Sequence, residues 1–289
     1  MLLAATEYVR PASLEEALAA LGSRAGARVL AGGQTLINVL KHRAASVELL
    51  VDVSRLTELR FIEVAPDGSA RIGAATTYAE LERSTQLRAA APVIGEVAAG
   101  TVDRQVRARG TIGGNACFAD PASNYPPLLV ALGASMEIAG PDGGRSVPAG
   151  EFFLGLYRTA LGPGELLRAI ALPPLDGAGV GYRSLQLAAD SWALARAVAW
   201  VRLGAAKPRT IEAARVVLGC VAGAPVRATA TEWLLAGGPA DADAVSAAAA
   251  AAGEGLDPPS DVHASGSYRR EMAIVMAKRA LLDAIGGAA

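Results

Sequence analysis

The feature that most constrains this chain is a pair of adjacent glycines set between two apolar segments, in Ala31-Gly32-Gly33-Gln34-Thr35. Before it, Arg28–Leu30 reads as a short strand. After it, the apolar-periodic Leu36–Lys41 reads as a helix. Adjacent glycines permit φ > 0 and close backbone approach. The start of a helix presents unpaired N–H groups and the positive end of a dipole. Such a turn receives an anion, and in a cofactor protein that anion is usually a phosphate. Glycine turns between strand and helix are also common as plain structure, so this stretch alone leaves both readings open.

A second glycine cluster follows in Arg109-Gly110-Thr111-Ile112-Gly113-Gly114-Asn115, and it leads into Asp120-Pro121-Ala122-Ser123-Asn124. In this order and separation the two clusters resemble the FAD-binding medium subunit of the molybdenum hydroxylases, the xanthine dehydrogenase and aerobic carbon monoxide dehydrogenase family. The resemblance runs from Tyr8-Val9-Arg10-Pro11 to Tyr268-Arg269-Arg270, nearly the whole chain.

The resemblance implies an α+β fold. A two-lobed FAD-binding domain of the vanillyl-alcohol-oxidase (PCMH-like) type would occupy residues 1–175, with lobes of about 1–55 and 56–175. A smaller domain over 176–289 would carry a three-stranded antiparallel sheet and a helical bundle. FAD would be bound in this chain by Leu30, Ala31, Gly32, Gly33, Gln34, Thr35 and Leu36, and by Thr111, Ile112, Gly113, Gly114 and Asn115. Asp120, Ser123 and Asn124 match the family's D-P-x-S-D segment near the adenosine, with Asn124 where aspartate is usual. Leu167 matches an apolar position near the adenine. Gln186 stands where the family often has lysine. Ser191-Trp192-Ala193 matches a segment that usually begins with aspartate, and Trp192 would lie near the flavin ring. The molybdenum cofactor would sit in a large partner subunit and [2Fe–2S] clusters in a small one. A dimer of such heterotrimers is the implied assembly.

Composition agrees with this division of labour. The chain has 289 residues, which suggests two domains, and it needs no covalent staples. Its net charge of −1 gives no electrostatic case for nucleic acid. Two cysteines, Cys117 and Cys220, cannot ligate an iron–sulfur cluster, which normally takes four. A disulfide between them stays open, although nothing resembles a secreted framework. Two histidines, His42 and His263, make a histidine-rich metal site or a Ser-His-Asp triad a poor reading. Lysines are confined to Lys41, Lys207 and Lys278, and the excess of arginine reads as coding bias. Met1–Ala5 is apolar but too short for a signal peptide, and no apolar run is long enough to span a bilayer. The expected location is the cytoplasm.

Along the chain, Ser13-Leu14-Glu15-Glu16 reads as a capping box opening a helix to Leu21. Glu48–Val53 reads as a strand completing a small βαβ-type lobe. A hairpin is expected around Pro66-Asp67-Gly68, a second capping box at Thr77-Tyr78-Ala79-Glu80, and a proline-started helix over Pro92–Ala99. Thr101–Asn124 reads as irregular and functional, too long for a bland connector. Then come a helix at Pro127–Leu132, a hairpin around Pro141–Gly144 and a strand over Glu165–Leu172, stopped by Pro173-Pro174. Tyr182–Leu187, Leu194–Leu203 and Thr210–Leu218 form a meander, followed by helices at Arg227–Leu235, Ala240–Ala252 and Tyr268–Ile285.

Plain structural readings stand beside several site residues. Cys117 reads as a small core residue, Trp200 as a core aromatic, and Asp120 equally as a turn former before Pro121. Arg104, Arg107 and Arg109 form either a solvated face or a contact to phosphate or a partner. No general base or nucleophile is predicted. The rival functions are a stand-alone FAD-dependent oxidoreductase and a non-catalytic nucleotide-binding module.

Overall fold

The computed structural model describes residues 3–101, 103–205 and 209–288. Met1 and Leu2 of the apolar N-terminal stretch, Val102 within the glycine-rich segment, and Lys207 lie outside them. The chain divides into two compact units. One comprises the chain up to Phe118, Ser135–Phe152 and Thr159–Leu172. The other comprises Ala119–Ala134, Phe153–Arg158 and the chain from Pro173 on.

The first unit carries two sheets, one in a smaller lobe and one in a larger; of the residues 56–175 expected in one lobe, Ala119–Ala134 and Phe153–Arg158 belong to the second unit. In the smaller, the strands Glu7–Val9, Leu49–Asp52 and Ala27–Leu30 form an all-parallel sheet in that spatial order. Its central strand is buried throughout, as a strand flanked on both sides should be. The helix Leu14–Gly22 packs Ala17 and Leu21 into this core. Ser13 Oγ caps it by accepting from Glu16 N–H. The return half of the capping box differs from expectation. The Glu16 carboxylate reaches the Ala12 N–H at 2.8 Å, one residue before the cap.

In the larger lobe a five-stranded antiparallel sheet runs in the order Ile62–Val64, Ala70–Gly73, Leu166–Leu172, Ser135–Gly140, Gly143–Pro148. The Thr77 box is complete: Thr77 Oγ accepts from Glu80 N–H and the Glu80 carboxylate accepts from Thr77 N–H. A helix Thr85–Ala90, opened by Ser84, was not anticipated. The larger departure is at 101–124. Most of that segment is helical, in Arg104–Arg109, capped by Asp103, and in Ile112–Phe118. Glycine disfavours helix locally, but Gly113 lies so close to Ala74 that an added Cβ would be 2.5 Å from that residue's Cβ. Tertiary packing outweighs propensity here.

The second unit is built on a meander of Gly179–Gln186, Ala193–Leu203 and Ile211–Gly219, as expected, with a two-residue fourth strand, Val226–Arg227, at the edge. The helices Thr229–Leu235, Ala242–Ala249 and Gly266–Gly287 cover one face of the sheet and share its core. Ala273, Met276, Ala277, Ala280, Leu281 and Ala284 of the last helix are buried, the face that the sequence periodicity marked. The helix settles directly on backbone. A Cβ at Gly181 would overlap the Ala280 carbonyl oxygen, and one at Gly179 would overlap that of Ala284. Gly181→Val is therefore expected to cost about 2–4 kcal/mol by overpacking, read as a lowered midpoint in thermal or urea unfolding. An unchanged midpoint would show that the helix does not depend on this contact.

Candidate functional site

The Leu30–Leu36 turn connects the strand Ala27–Leu30 to the helix Leu36–Lys41. Leu30 and Leu36 anchor it by packing against Leu40, Val47 and Leu50. Gly33 adopts φ +73°, the left-handed region where an L side chain is strained. Residues 31–36 are all half-buried, within reach of a ligand. Among the described residues, the backbone N–H groups of Gly32, Gly33, Gln34 and Thr35 have no hydrogen-bond acceptor. Backbone donors left unpaired away from solvent are costly, so this row is suited to an anion. The helix after it has only six residues. Its contribution is the orientation of N–H groups rather than a long macrodipole.

The Thr111–Asn115 motif lies against this turn. A Cβ on Gly32 would overlap the Arg109 carbonyl oxygen and stand 3.1 Å from Gly110 Cα. Arg109 Nε donates to Gly32 O at 3.4 Å. A Cβ on Gly114 would stand 4.0 Å from Ala31 Cβ. Two motifs separated by about eighty residues of chain thus touch. The second motif uses its donors differently from the first. Gly113 N–H donates to Ala74 O at 3.0 Å, Gly114 N–H to Thr111 Oγ at 3.0 Å, and Asn115 N–H to Thr111 O at 3.0 Å. The second motif spends its N–H groups on its own fold, and Thr111 keeps one free O–H donor. Leu167 is buried in the strand Leu166–Leu172 of the same unit. Next to it the Cys117 thiol, desolvated, is pushed up to about 12. Cys117 and Cys220 are both free. Of the three arginines, Arg107 pairs with Glu82 and Arg109 holds Gly32.

Asp120, Ser123, Asn124, Gln186 and Trp192 belong to the second unit. Asp120 Oδ1 accepts from Ala122 N–H at 2.8 Å, the turn its position before Pro121 suggests, and Oδ2 accepts from Tyr157 Oη–H at 3.1 Å. Burial and the Asp120 charge raise the Tyr157 phenol. Ala119, Tyr157 and Cys220 all hold positive φ without being glycine. They meet here: Tyr157 N–H donates to Ala119 O, and Cys220 N–H to Pro121 O. Such strain gathers where the fold over-determines a functional loop. A pocket lined by Asp120, Pro121, Phe153, Gly155 and Gly223 opens beside it. Gln186 Nε2 donates to Ser191 O at 2.7 Å, and Ser191 Oγ accepts from Leu187 and Ala188 N–H, closing the loop that carries Trp192. Trp192 is 65% exposed, outside any core, whereas Trp200 is buried under Arg215.

A glycine-built turn with four free backbone donors, in a chain of mixed helices and sheets, defines the class as an α+β protein with a turn suited to an anion. Comparison with known proteins narrows it. The family described as "FAD binding domain in molybdopterin dehydrogenase" matches residues 4–175, and "CO dehydrogenase flavoprotein C-terminal domain" matches residues 181–284. The carbon monoxide dehydrogenase medium chain of Afipia carboxidovorans is 38% identical over 95% of each chain. The glyceraldehyde dehydrogenase medium chain of Sulfolobus acidocaldarius is 36% identical over 96% of this chain and 97% of that one. A chain of the solved carbon monoxide dehydrogenase of Hydrogenophaga pseudoflava superposes with a TM-score of 0.95 at 37% identity, all of both chains covered. The chain belongs to the FAD-binding medium-subunit family of the molybdenum hydroxylases, flavoprotein subunits of oxidoreductases whose cofactor is FAD. Among the described residues no helix is long and apolar enough to cross a membrane.

Two arginines of the second unit escaped the sequence reading. Arg196, in Ala193–Leu203, is 2% exposed, and Arg269, in the last helix, is 6% exposed. Arg196 interrupts an otherwise apolar stretch, which was the available signal; Arg269, between Tyr268 and Arg270-Glu271, gives none. Arg269 donates to Leu194 O at 3.0 Å, close in sequence to the Trp192 loop, and to Asp261 Oδ2 at 2.6 Å. The backbone N–H groups of His263 and Ala264, then Arg269, lower Asp261 from 3.8 to about 2. A carboxylate whose folded value is depressed adds stability above its unfolded value and loses it as pH falls through the folded one. Asp261→Ala is thus expected to melt below wild type at neutral pH, the gap closing as pH drops from 3.8 towards about 2. A gap that persists unchanged at the acid end would remove this role from Asp261.

Proposed function

We propose that this chain is the electron-transfer subunit of a three-subunit, molybdenum-containing dehydrogenase. It accepts electrons from [2Fe–2S] clusters of a small partner subunit and passes them through FAD to an external acceptor. Oxidation of the substrate takes place at the molybdenum cofactor of a large partner subunit. The assembly is a cytoplasmic dimer of heterotrimers. Residues 1–175 are its FAD-binding domain and 176–289 its C-terminal flavoprotein domain. The names of the relatives support this division: medium chains of enzymes named for carbon monoxide and glyceraldehyde, and an FAD-binding subunit of one named for xanthine, match along nearly their whole length. A scaffold shared across such different substrates places substrate choice in another chain.

The observation that carries the reading is the contact of two remote glycine motifs beside unpaired backbone donors. The N–H groups of Gly32–Thr35 hold the diphosphate, and the Thr111 hydroxyl adds a donor. Gly113, Gly114, Ile112 and Asn115 keep the second motif close enough to do so. Asp120, Ser123, Asn124, Leu167, Gln186 and Trp192 complete the set on the reading from resemblance. FAD, when bound, supplies the redox chemistry, and the chain's part is to hold it and set its surroundings. No side chain is asked to move a proton.

The purified chain is expected to carry one FAD, visible as flavin absorption in the blue. Gly33→Val places a β-branched residue at φ +73°, with its Cβ 3.2 Å from Ile37 Cγ1. Left-handed backbone costs an L residue roughly 1–2 kcal/mol. Gly114→Val sets a Cβ 2.8 Å from Thr111 Oγ and 4.0 Å from Ala31 Cβ, so the Thr111 hydroxyl must shift. Both variants should lose FAD while keeping native circular dichroism. Yellow holoprotein from both would refute this location of the site.

A further inference from the structure

Arg196 is the largest fully buried side chain among the described residues. It is at once a cation and, among the described residues, part of no ion pair. One terminal nitrogen donates to Ala122 O at 2.9 Å and to Ser123 O at 2.6 Å. The other donates to Asn124 Oδ1 at 2.7 Å and, at 3.5 Å, to Ser184 Oγ. Nε has no acceptor. The guanidinium also faces the Tyr182 ring, 5.6 Å from its centroid. Three consecutive residues of Ala122–Asn124 are therefore gripped by one side chain. A guanidinium only donates, so Asn124 must turn its oxygen inward, which leaves its NH2 as the outward group. Burying a cation without a counter-charge opposes folding unless its bonds are well made. That expense goes entirely into fixing the segment that begins at Asp120.

We infer that Arg196 is a positioning residue for the cofactor: it acts through Ala122–Asn124, holding that segment in the shape that retains FAD. The inference rests on the proposed function above. Lysine cannot replace the grip, because one ammonium on a flexible stem does not span three acceptors as a planar fork does. A carboxylate at position 124 would offer that ammonium a strong single partner and restore part of it.

The test uses the full chain, with FAD dissociation followed by flavin fluorescence and folding followed by circular dichroism and melting. Wild type must first bind FAD; if it does not, the functional proposal has failed rather than this one. Arg196→Lys is expected to weaken FAD binding about tenfold or more, the scale of a lost charged hydrogen bond. The double variant Arg196→Lys, Asn124→Asp should regain part of that loss. Wild-type affinity in Arg196→Lys, or a double variant no better than the single one, overturns the inference. Should Arg196→Lys not fold, Asn124→Ala serves, since it leaves both carbonyl bonds in place. It should weaken FAD several-fold with native circular dichroism, at a melting temperature lowered by the guanidinium nitrogen left without its acceptor, and wild-type affinity there overturns the inference equally.

Discussion

The first unit depends on one backbone approach that leaves no room for a side chain. Gly32 lies so near the Arg109 carbonyl that any Cβ would overlap it. The small parallel lobe and the larger antiparallel lobe meet at that point. The left-handed Gly33 then turns the chain so that four N–H groups are left without acceptors. The two glycines thus have different work, one permitting contact and the other permitting conformation. The opposite partner is just as constrained, because Gly113 lies on Ala74 and could not recede to admit a larger residue at 32. Donors on one side and packing on the other make an asymmetric cradle, and only the first motif offers a row of free backbone hydrogens.

Much of this was legible because the signals are local. Strand, glycine pair and amphipathic turn predicted the helix Leu36–Lys41 at its observed bounds, and Thr77-x-x-Glu80 its complete capping box. The hairpins at Pro66–Gly68 and Pro141–Gly144 were marked by turn residues whose backbone preferences do not depend on the rest of the fold. Ile112–Phe118 was illegible for the opposite reason. Its composition argues for irregular backbone, and the packing that overrules it comes from Ala74, some forty residues away. The same logic explains Ser84, which ends one helix and starts another: a single residue shared by two caps has no separate sequence signature.

The grouping of Ala119–Ala134 with the C-terminal residues follows from side chains that a local reading cannot pair. The helix Tyr125–Leu132 is buried at every position, so it needs cover on all sides. Pro127 packs within 3.1 Å of the position a Cβ would take on Gly219, and Arg215 reaches the Gly133 turn that ends the helix. An all-apolar helix announces burial, but not which distant strand supplies it. The site was read as a list of segments, and the arginines that hold those segments were missed, in part because half of their acceptors are backbone carbonyls, which have no sequence identity.

That distinction bears on the three positions where the resemblance implies a charged residue. Asn124, Gln186 and Ser191 stand there, and each is satisfied inside the chain: Asn124 by Arg196, Gln186 by Ser191 O, Ser191 by the N–H groups of Leu187 and Ala188. Neutral replacements that found no partners would have signalled decay of the site. Replacements with complete hydrogen bonding preserve loop shape while changing the local charge. In the Asp120–Asn124 segment the result is a buried guanidinium that no carboxylate neutralises. In a low-dielectric interior such a charge acts farther than the same charge at the surface. That charge is carried by a residue of the central strand Ala193–Leu203, and its acceptors are fixed in Ala122–Asn124.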